Sequence, residues 1–448
     1  MRVTNPGGLI TAHGFARFYA PLAATSLLLT ATNPILAAAL ARSTDPVTAL
    51  AGYSVAFAVC GVLYAPLFVM QQVAAARLLA EGSFSPVKRF AYLTGAVMSL
   101  AGALIAYTGV AGDLVFATVV GVGPEVLHEA VRAMQWLWPV PFLTAVRAAH
   151  QGRLVAGHRT VPIAAATGGR TGVLAVVAFA LLATGGGAWL GAAAFTGGLV
   201  VEAMVVMWSR TPELRLERED CEADKENVAR FSAPLMLNVL LWWATPLIIN
   251  AVLARTADPD RALAAFGVVE AMAWFVAAPV GQLQHASIAL VECSETHRRV
   301  RRWGAIVAFA AMAVLIVLSV PAVREPVLRH VFALDAGLVA LAGAALPVAA
   351  AYPLLYAIRQ YYQGLFVRSG RTGVVGVGAV LRVASIAGAA LVVQGSGLTG
   401  AVPGVALAVF GLTVEGVFLV RHSQREVMPE LRASRAAAVN PEAFEGVA

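Results

Sequence analysis

Charge is what this chain has least of. Only 13% of its 448 residues are Asp, Glu, Lys or Arg, where a soluble domain usually carries about a quarter. Too few polar residues are present to coat a surface facing water. With 59% hydrophobic residues and a mean hydropathy of +0.76, lipid must be the solvent for most of the chain. Cysteine is nearly absent. Cys60, Cys221 and Cys293 have no metal-ligand spacing and make no disulfide framework. No Walker loop occurs, which excludes ATP hydrolysis by this chain. Gly185-Gly186-Gly187 reads as a tight loop, not a phosphate cradle. No His/Cys/Asp set suits a metal, and nothing points to an enzyme, a cofactor or a nucleic-acid partner. Met1 to Gly14 lacks a basic region followed by a cleavage site, so the first apolar segment is expected to stay as an uncleaved anchor.

What is present is a duplication. Arg17-Phe18-Tyr19-Ala20-Pro21-Leu22 returns 213 residues later as Arg230-Phe231-Ser232-Ala233-Pro234-Leu235. The register holds without a gap over 56 positions, 17–72 against 230–285, of which 24 are identical. Among the matches are Arg42/Arg255, Asp45/Asp258, Pro46/Pro259, Pro66/Pro279 and Gln71/Gln284. Further on, Pro141, Arg147, Gln151 and Gly152 match Pro353, Arg359, Gln363 and Gly364 at an offset of 212. Paired halves in an apolar chain point to a transporter.

A spanning helix needs about 20 mainly apolar residues. Twelve segments qualify: 16–41, 49–76, 91–111, 127–152, 161–183, 188–208, 229–254, 261–291, 303–321, 336–366, 373–393 and 398–420. The expected fold is all-α and polytopic, with twelve transmembrane helices in two six-helix bundles. Six helices per half make the repeats parallel, related by an axis along the membrane normal. The expected domains are an N-terminal lobe (1–208), a polar cytoplasmic linker (209–228), a C-terminal lobe (229–421) and an unstructured cytoplasmic tail (422–448). The linker reads as solvated or as a short amphipathic helix at the membrane surface. Most of the 32 lysines and arginines fall in alternate loops and at the termini. That bias puts both termini in the cytoplasm of a plasma (inner) membrane protein.

Charges inside the spans draw most attention. Arg147, Arg170 and Glu202 recur as Arg359, Arg382 and Glu415. Each is costly facing lipid, so each should face the bundle or water. One reading is an Arg–Glu bridge per half, holding the fourth, fifth and sixth spans together. The other uses the surplus: with two arginines per glutamate, a free guanidinium in a wet cavity is a planar anion receptor. Arginines sealed against glutamate would defeat that second reading. Glu270 breaks the repeat, standing where the first half has Phe57. A lone carboxylate near mid-membrane suits proton coupling, or a bridge to a neighbouring helix. Gln71, Gln72, Gln284 and His285, with Asn33, are candidates to line a cavity or to bond between helices. Pro34 and Pro246 lie inside the first and seventh spans, as hinges or as static kinks. Trp136, Trp138, Trp242 and Trp243 read as interfacial anchors.

Two six-helix halves, prolines within the first and seventh helices, and a polar linker resemble the multidrug/oligosaccharidyl-lipid/polysaccharide (MOP) exporter superfamily, which includes the MATE transporters. Arg17-Phe18, Pro21-Leu22, Leu50-Ala51, Tyr53, Pro353, Arg359, Gly364 and Arg382 resemble its progressive ankylosis branch, associated with export of pyrophosphate, nucleotides or citrate. The resemblance implies a V-shaped cavity between the halves and rocking-type alternating access. Some MATE proteins couple protons through an acidic residue in the first helix. None stands there here, which turns attention to Glu270. The expected function is a secondary exporter of an organic or phosphorylated anion, coupled to H+ or Na+. The alternatives are a flippase for a lipid-linked oligosaccharide or polysaccharide precursor, multidrug efflux of cationic compounds, and a non-transporting scaffold.

Overall fold

A computed structural model describes residues 10–439, apart from 83, 121–122, 211–224, 257, 333 and 396–399. Residues 211–224 of the expected linker fall outside the described residues, and 225–228 open α10. The rest is helical: α1 (Ala12–Leu40), α2 (Pro46–Tyr64), α3 (Met70–Glu81), α4 (Ser85–Tyr107), α5 (Gly109–Gly112), α6 (Pro124–Leu137), α7 (Val140–Ala156), α8 (Val161–Leu181) and α9 (Ala188–Trp208). The order repeats as α10 (Lys225–Leu253), α11 (Pro259–Ala277), α12 (Leu283–Leu290), α13 (Ser294–Ser319), α14 (Pro321–Pro326), α15 (Ala336–Ala349), α16 (Tyr352–Arg368), α17 (Thr372–Gly395) and α18 (Val402–Val439). Among the described residues, nine helices are long and apolar enough to cross a membrane, or eleven if each of two bent pairs is one span. The remaining predicted span, 127–152, falls on α6 and α7, of 14 and 17 residues.

The chain divides into two compact units, residues Ala24–Met236 and residues Met1–Ala23 with Leu237–Ala448. In the first, Leu36, Leu40, Ala56, Met134 and Phe195 belong to one apolar core. In the second, Leu253, Phe266, Leu315, Leu346 and Ile386 do the same. The division cuts α1 after Ala23 and α10 after Met236, in each case one residue past the duplicated Arg-Phe-x-Ala-Pro-Leu stretch. The Tyr19 hydroxyl donates to the Pro279 carbonyl at 2.7 Å, and Arg77 lies over the Phe231 ring at 5.6 Å.

Four predicted spans are broken, and proline marks each break. Proline removes a backbone donor and crowds the preceding turn. Pro66 sits in a 3-10 turn between α2 and α3, and Pro279 in the matching turn between α11 and α12. Pro139 separates α6 from α7, and Pro353 opens α16. The α11–α12 pair bends by 44° and the α15–α16 pair by 41°. By contrast, α1 runs unbroken past Pro34 and α10 past Pro246.

Glycine sets one crossing in each unit. A Cβ on Gly152 of α7 would meet the Gln71 carbonyl oxygen and come within 2.6 Å of Ala74 Cβ on α3. A Cβ on Gly364 of α16 would meet Ser287 Oγ on α12 and come within 2.5 Å of the Gln284 carbonyl oxygen. The backbones touch where the repeat places glycine against glutamine. At the C-terminal end the expected tail is not all loose. α18 continues to Val439, past residue 421, and buries Ser423, Val427 and Met428. Apolar residues at that spacing keep one helix face covered.

Candidate functional site

Glu202 and Glu415 are completely buried, at 0% exposure. A bare carboxylate could not stay charged there. In the first unit Glu202, on α9, accepts from four side chains. Thr167 Oγ1 donates at 2.7 Å and Gln151 Nε2 at 3.1 Å. Arg170 donates through an Nη at 3.0 Å, and Arg147 at 3.4 Å. These residues lie on α7 and α8, so three helices converge on one carboxylate. Each guanidinium also meets a ring: Arg170 over Phe195 at 4.8 Å, Arg147 over Phe68 at 5.5 Å.

The second unit repeats the plan with different partners. Glu415, on α18, accepts from Arg359 Nε at 2.9 Å and Gln363 Nε2 at 2.8 Å, both on α16. Arg382 Nε, on α17, is 3.5 Å away in a long ion pair. Arg359 spends its other donors on Gln360 Oε1 at 2.7 Å and Asn238 Oδ1 at 2.8 Å. Asn238 lies on α10, where the first half has Thr25. Arg382 is left with Nη1 and Nη2 lacking any hydrogen-bond acceptor among the described residues, although it is only 1% exposed.

Two arginines and one glutamate leave each cluster with an excess positive charge. Both arginines of each half reach the one glutamate, which is the pairing expected of helix-bridging residues. Sealing removes Arg147, Arg170 and Arg359 as open receptors in this conformation. Arg382 keeps the most unused donors: both of its Nη groups lack an acceptor among the described residues, where Arg147 and Arg170 leave only Nε without one.

Trp242 departs from its expected role. It lies under both guanidinium groups, 4.4 Å from Arg359 and 4.7 Å from Arg382. Its ring also neighbours Trp274 at 5.8 Å and Tyr356 at 5.4 Å, and Tyr356 stacks on Tyr352 at 5.8 Å. The matching positions in the first half are Leu29, Gly61, Thr144 and Val140. The first unit has its own aromatic chain of Phe195, Phe57, Tyr64 and Phe68; the Trp242 network, with one ring under both guanidinium groups, belongs to the second unit. Sequence did carry a signal for it: four aromatic residues replace small or aliphatic ones in register.

Glu270 lies on α11, one turn from Trp274. It is exposed, with no ion pair or hydrogen bond among the described residues. It borders a cavity of about 30 Å³ with Phe266, Ala273, Tyr352 and Val405, room for about one water. The candidate polar residues fall in separate places. Gln72 and Gln284 are buried on α3 and α12, and Gln71 is half-buried with its carbonyl at the Gly152 crossing. His285 Nδ1 is 3.1 Å from Gln282 Oε1. Asn33 is in α1, with its side chain outside those described. No group of three or more His, Cys, Asp or Glu side chains able to hold a metal occurs among the described residues.

No protein-family model matches the chain, and no curated protein matches it by sequence. Solved structures do. A multidrug resistance MATE family transporter of the MOP superfamily, in an outward-facing conformation, shares 16% identity and superposes with a TM-score of 0.75, over 93% of this chain and 96% of the other. A MATE transporter of Vibrio cholerae gives 15% and 0.74, over 92% and 97%. A MOP superfamily transporter from Pyrococcus furiosus, described as having a binding pocket of reverse polarity that suggests a different function, gives 17% and 0.72, over 93% and 96%. The chain is thus a multi-pass membrane protein with the twelve-helix, two-bundle fold of the MATE transporters of the MOP superfamily.

Proposed function

We propose that this protein is a secondary exporter working by alternating access, and that its substrate is an organic or phosphorylated anion. The observation behind the anion is the surplus arginine of the second unit. Arg382 is buried, permanently charged and short of acceptors, a state that costs several kcal/mol unless something offsets it. A carboxylate or phosphate oxygen would supply the missing acceptors in bidentate geometry. Access requires the cluster to open. Pro34 and Pro246 provide bending points in α1 and α10, and the second-half bends of 44° and 41° lie on the helices that carry Glu270 and Arg359.

Coupling belongs to Glu270 in this reading. It is an unpaired carboxylate on a membrane helix beside a water-sized cavity, a setting in which a group can take up and release a proton. Na+ is the other candidate ion. The Pyrococcus relative, with its pocket of reverse polarity, agrees with substrates of unlike charge on one fold. The expected location is the plasma membrane with both termini cytoplasmic, with lobes 1–208 and 229–421 joined by the 209–228 linker.

A second reading, efflux of cationic compounds, draws on Glu270 with Trp274 one turn away, because a carboxylate beside an aromatic face attracts cations. One screen separates the two. Thermal shifts of the purified protein are measured with citrate, nucleotides, pyrophosphate and cationic dyes. Stabilisation by an anion, lost in Arg382→Gln, supports the first reading. Stabilisation by dyes alone, lost in Glu270→Gln, replaces it with the second.

A further inference from the structure

Several spans turn most of their surface outward, among them the equivalent pair α4 and α13. Only 17% of the apolar window of α13 is buried within the protein, the lowest share among the nine spans, and 28% of that of α4. Their outward residues form stripes. On α4 they are Leu93, Val97, Leu100 and Leu104, and on α13 Ile306, Phe309 and Ile316, with Val320 just past its end. Steps of three, four and seven keep each stripe on one helix face, and at membrane depth such a face meets acyl chains.

The same stripes begin in basic residues. Arg89 is one step of four before Leu93, and Arg302 one step of four before Ile306. Lys88 and Arg301 precede them, and Phe90 and Trp303 follow. All three positions match across the repeat at an offset of 213. Lys88, Arg89, Arg301 and Arg302 are exposed and have no hydrogen-bond or ion-pair partner among the described residues. Several nearby arginines are already committed. Arg153 donates to the Ser209 carbonyl at 2.7 Å, Arg159 to the Arg210 carbonyl at 2.6 Å, and Arg371 to Glu430 at 2.6 Å. Arg298 and Arg299 both donate to Glu295, at 2.6 and 3.1 Å. A general bias of basic loops explains the presence of positive charge. It does not explain why the uncommitted pairs cap the lipid-facing stripes of the two equivalent helices.

We propose that each basic end binds the phosphodiester of an anionic phospholipid, whose acyl chains lie along the stripe below. Guanidinium groups grip phosphate oxygens in bidentate geometry, whereas lysine acts as a point charge. The Arg301/Arg302 site is therefore the tighter, and Lys88/Arg89 the weaker. Anionic headgroups attract such clusters strongly enough for single pairs of cations to matter.

The test is native mass spectrometry of the full chain, purified with phosphatidylglycerol. The expected wild type retains two lipids. Arg301→Gln/Arg302→Gln loses the tighter one and Lys88→Gln/Arg89→Gln the weaker, each with affinity reduced at least about tenfold at its site. Arg301→Lys/Arg302→Lys keeps partial binding, which separates charge from misfolding. Arg421→Gln/Arg425→Gln, which removes exposed charge elsewhere, retains both. Equal retention by the quadruple Gln variant, equal retention of phosphatidylcholine, or displacement of the lipid by inorganic phosphate would each overturn the proposal.

Discussion

At the scale of residues, the glutamate at the centre of each cluster does the most. Glu202 neutralises one of two buried guanidinium groups and accepts from Thr167 and Gln151 as well. Replacing it by glutamine keeps the shape and leaves two buried positive charges facing each other. We expect Glu202→Gln to lower stability by about 3–5 kcal/mol, measured by thermal unfolding in detergent; an unchanged midpoint would show that the charge is not held there. Trp242→Leu, which installs the first-half residue, should cost about 0.5–2 kcal/mol through the lost faces for Arg359 and Arg382. The sequence made the Arg–Glu pairing legible, because all three residues recur in register inside apolar spans. It did not reveal Asn238 or Trp242. An asparagine opposite Thr25 looks incidental, and a tryptophan beside a second one, Trp243, looks like an anchor, until helix rotation shows which way it points.

At the scale of elements, the repeat is a repeat of crossings and breaks. α3 meets α7, and α12 meets α16, at a glycine with no room for a methyl group. Gly152→Ala and Gly364→Ala should each cost about 1–3 kcal/mol or more through forced separation of the helices. Gly388, inside α17, has open space around it, so Gly388→Ala should be neutral or slightly stabilising. Thermal unfolding of the three variants checks the contrast, and equal loss in all three would refute the crossing as its cause. Helix positions were largely readable from the apolar runs. The breaks were not, although their prolines were visible. Apolar character continues through Pro66, Pro139 and Pro279, so composition merges two helices into one span. Pro34 and Pro246 drew attention by lying inside spans, yet the helix passes through both.

At the scale of the whole molecule, the difference between the halves says more than their likeness. In the first unit Arg147 and Arg170 each leave only Nε without an acceptor; in the second Arg382 leaves both Nη groups idle, one ring, Trp242, lies under both guanidinium groups, and Glu270 stands where the first has Phe57. A scaffold built by duplication has no need of that asymmetry, whereas a transporter with one substrate site does. If Glu270 carries the proton, Glu270→Gln in proteoliposomes should bind substrate but lose dependence on a pH gradient; unchanged dependence would remove Glu270 from coupling. The most direct measurement is anion uptake by proteoliposomes holding wild type, Arg382→Gln or Trp243→Leu, the last replacing an exposed ring outside the clusters. We expect wild type and Trp243→Leu to transport an anion and Arg382→Gln to lose that transport at least tenfold while staying folded. Full anion transport by Arg382→Gln, or transport of cations alone by wild type, would contradict it.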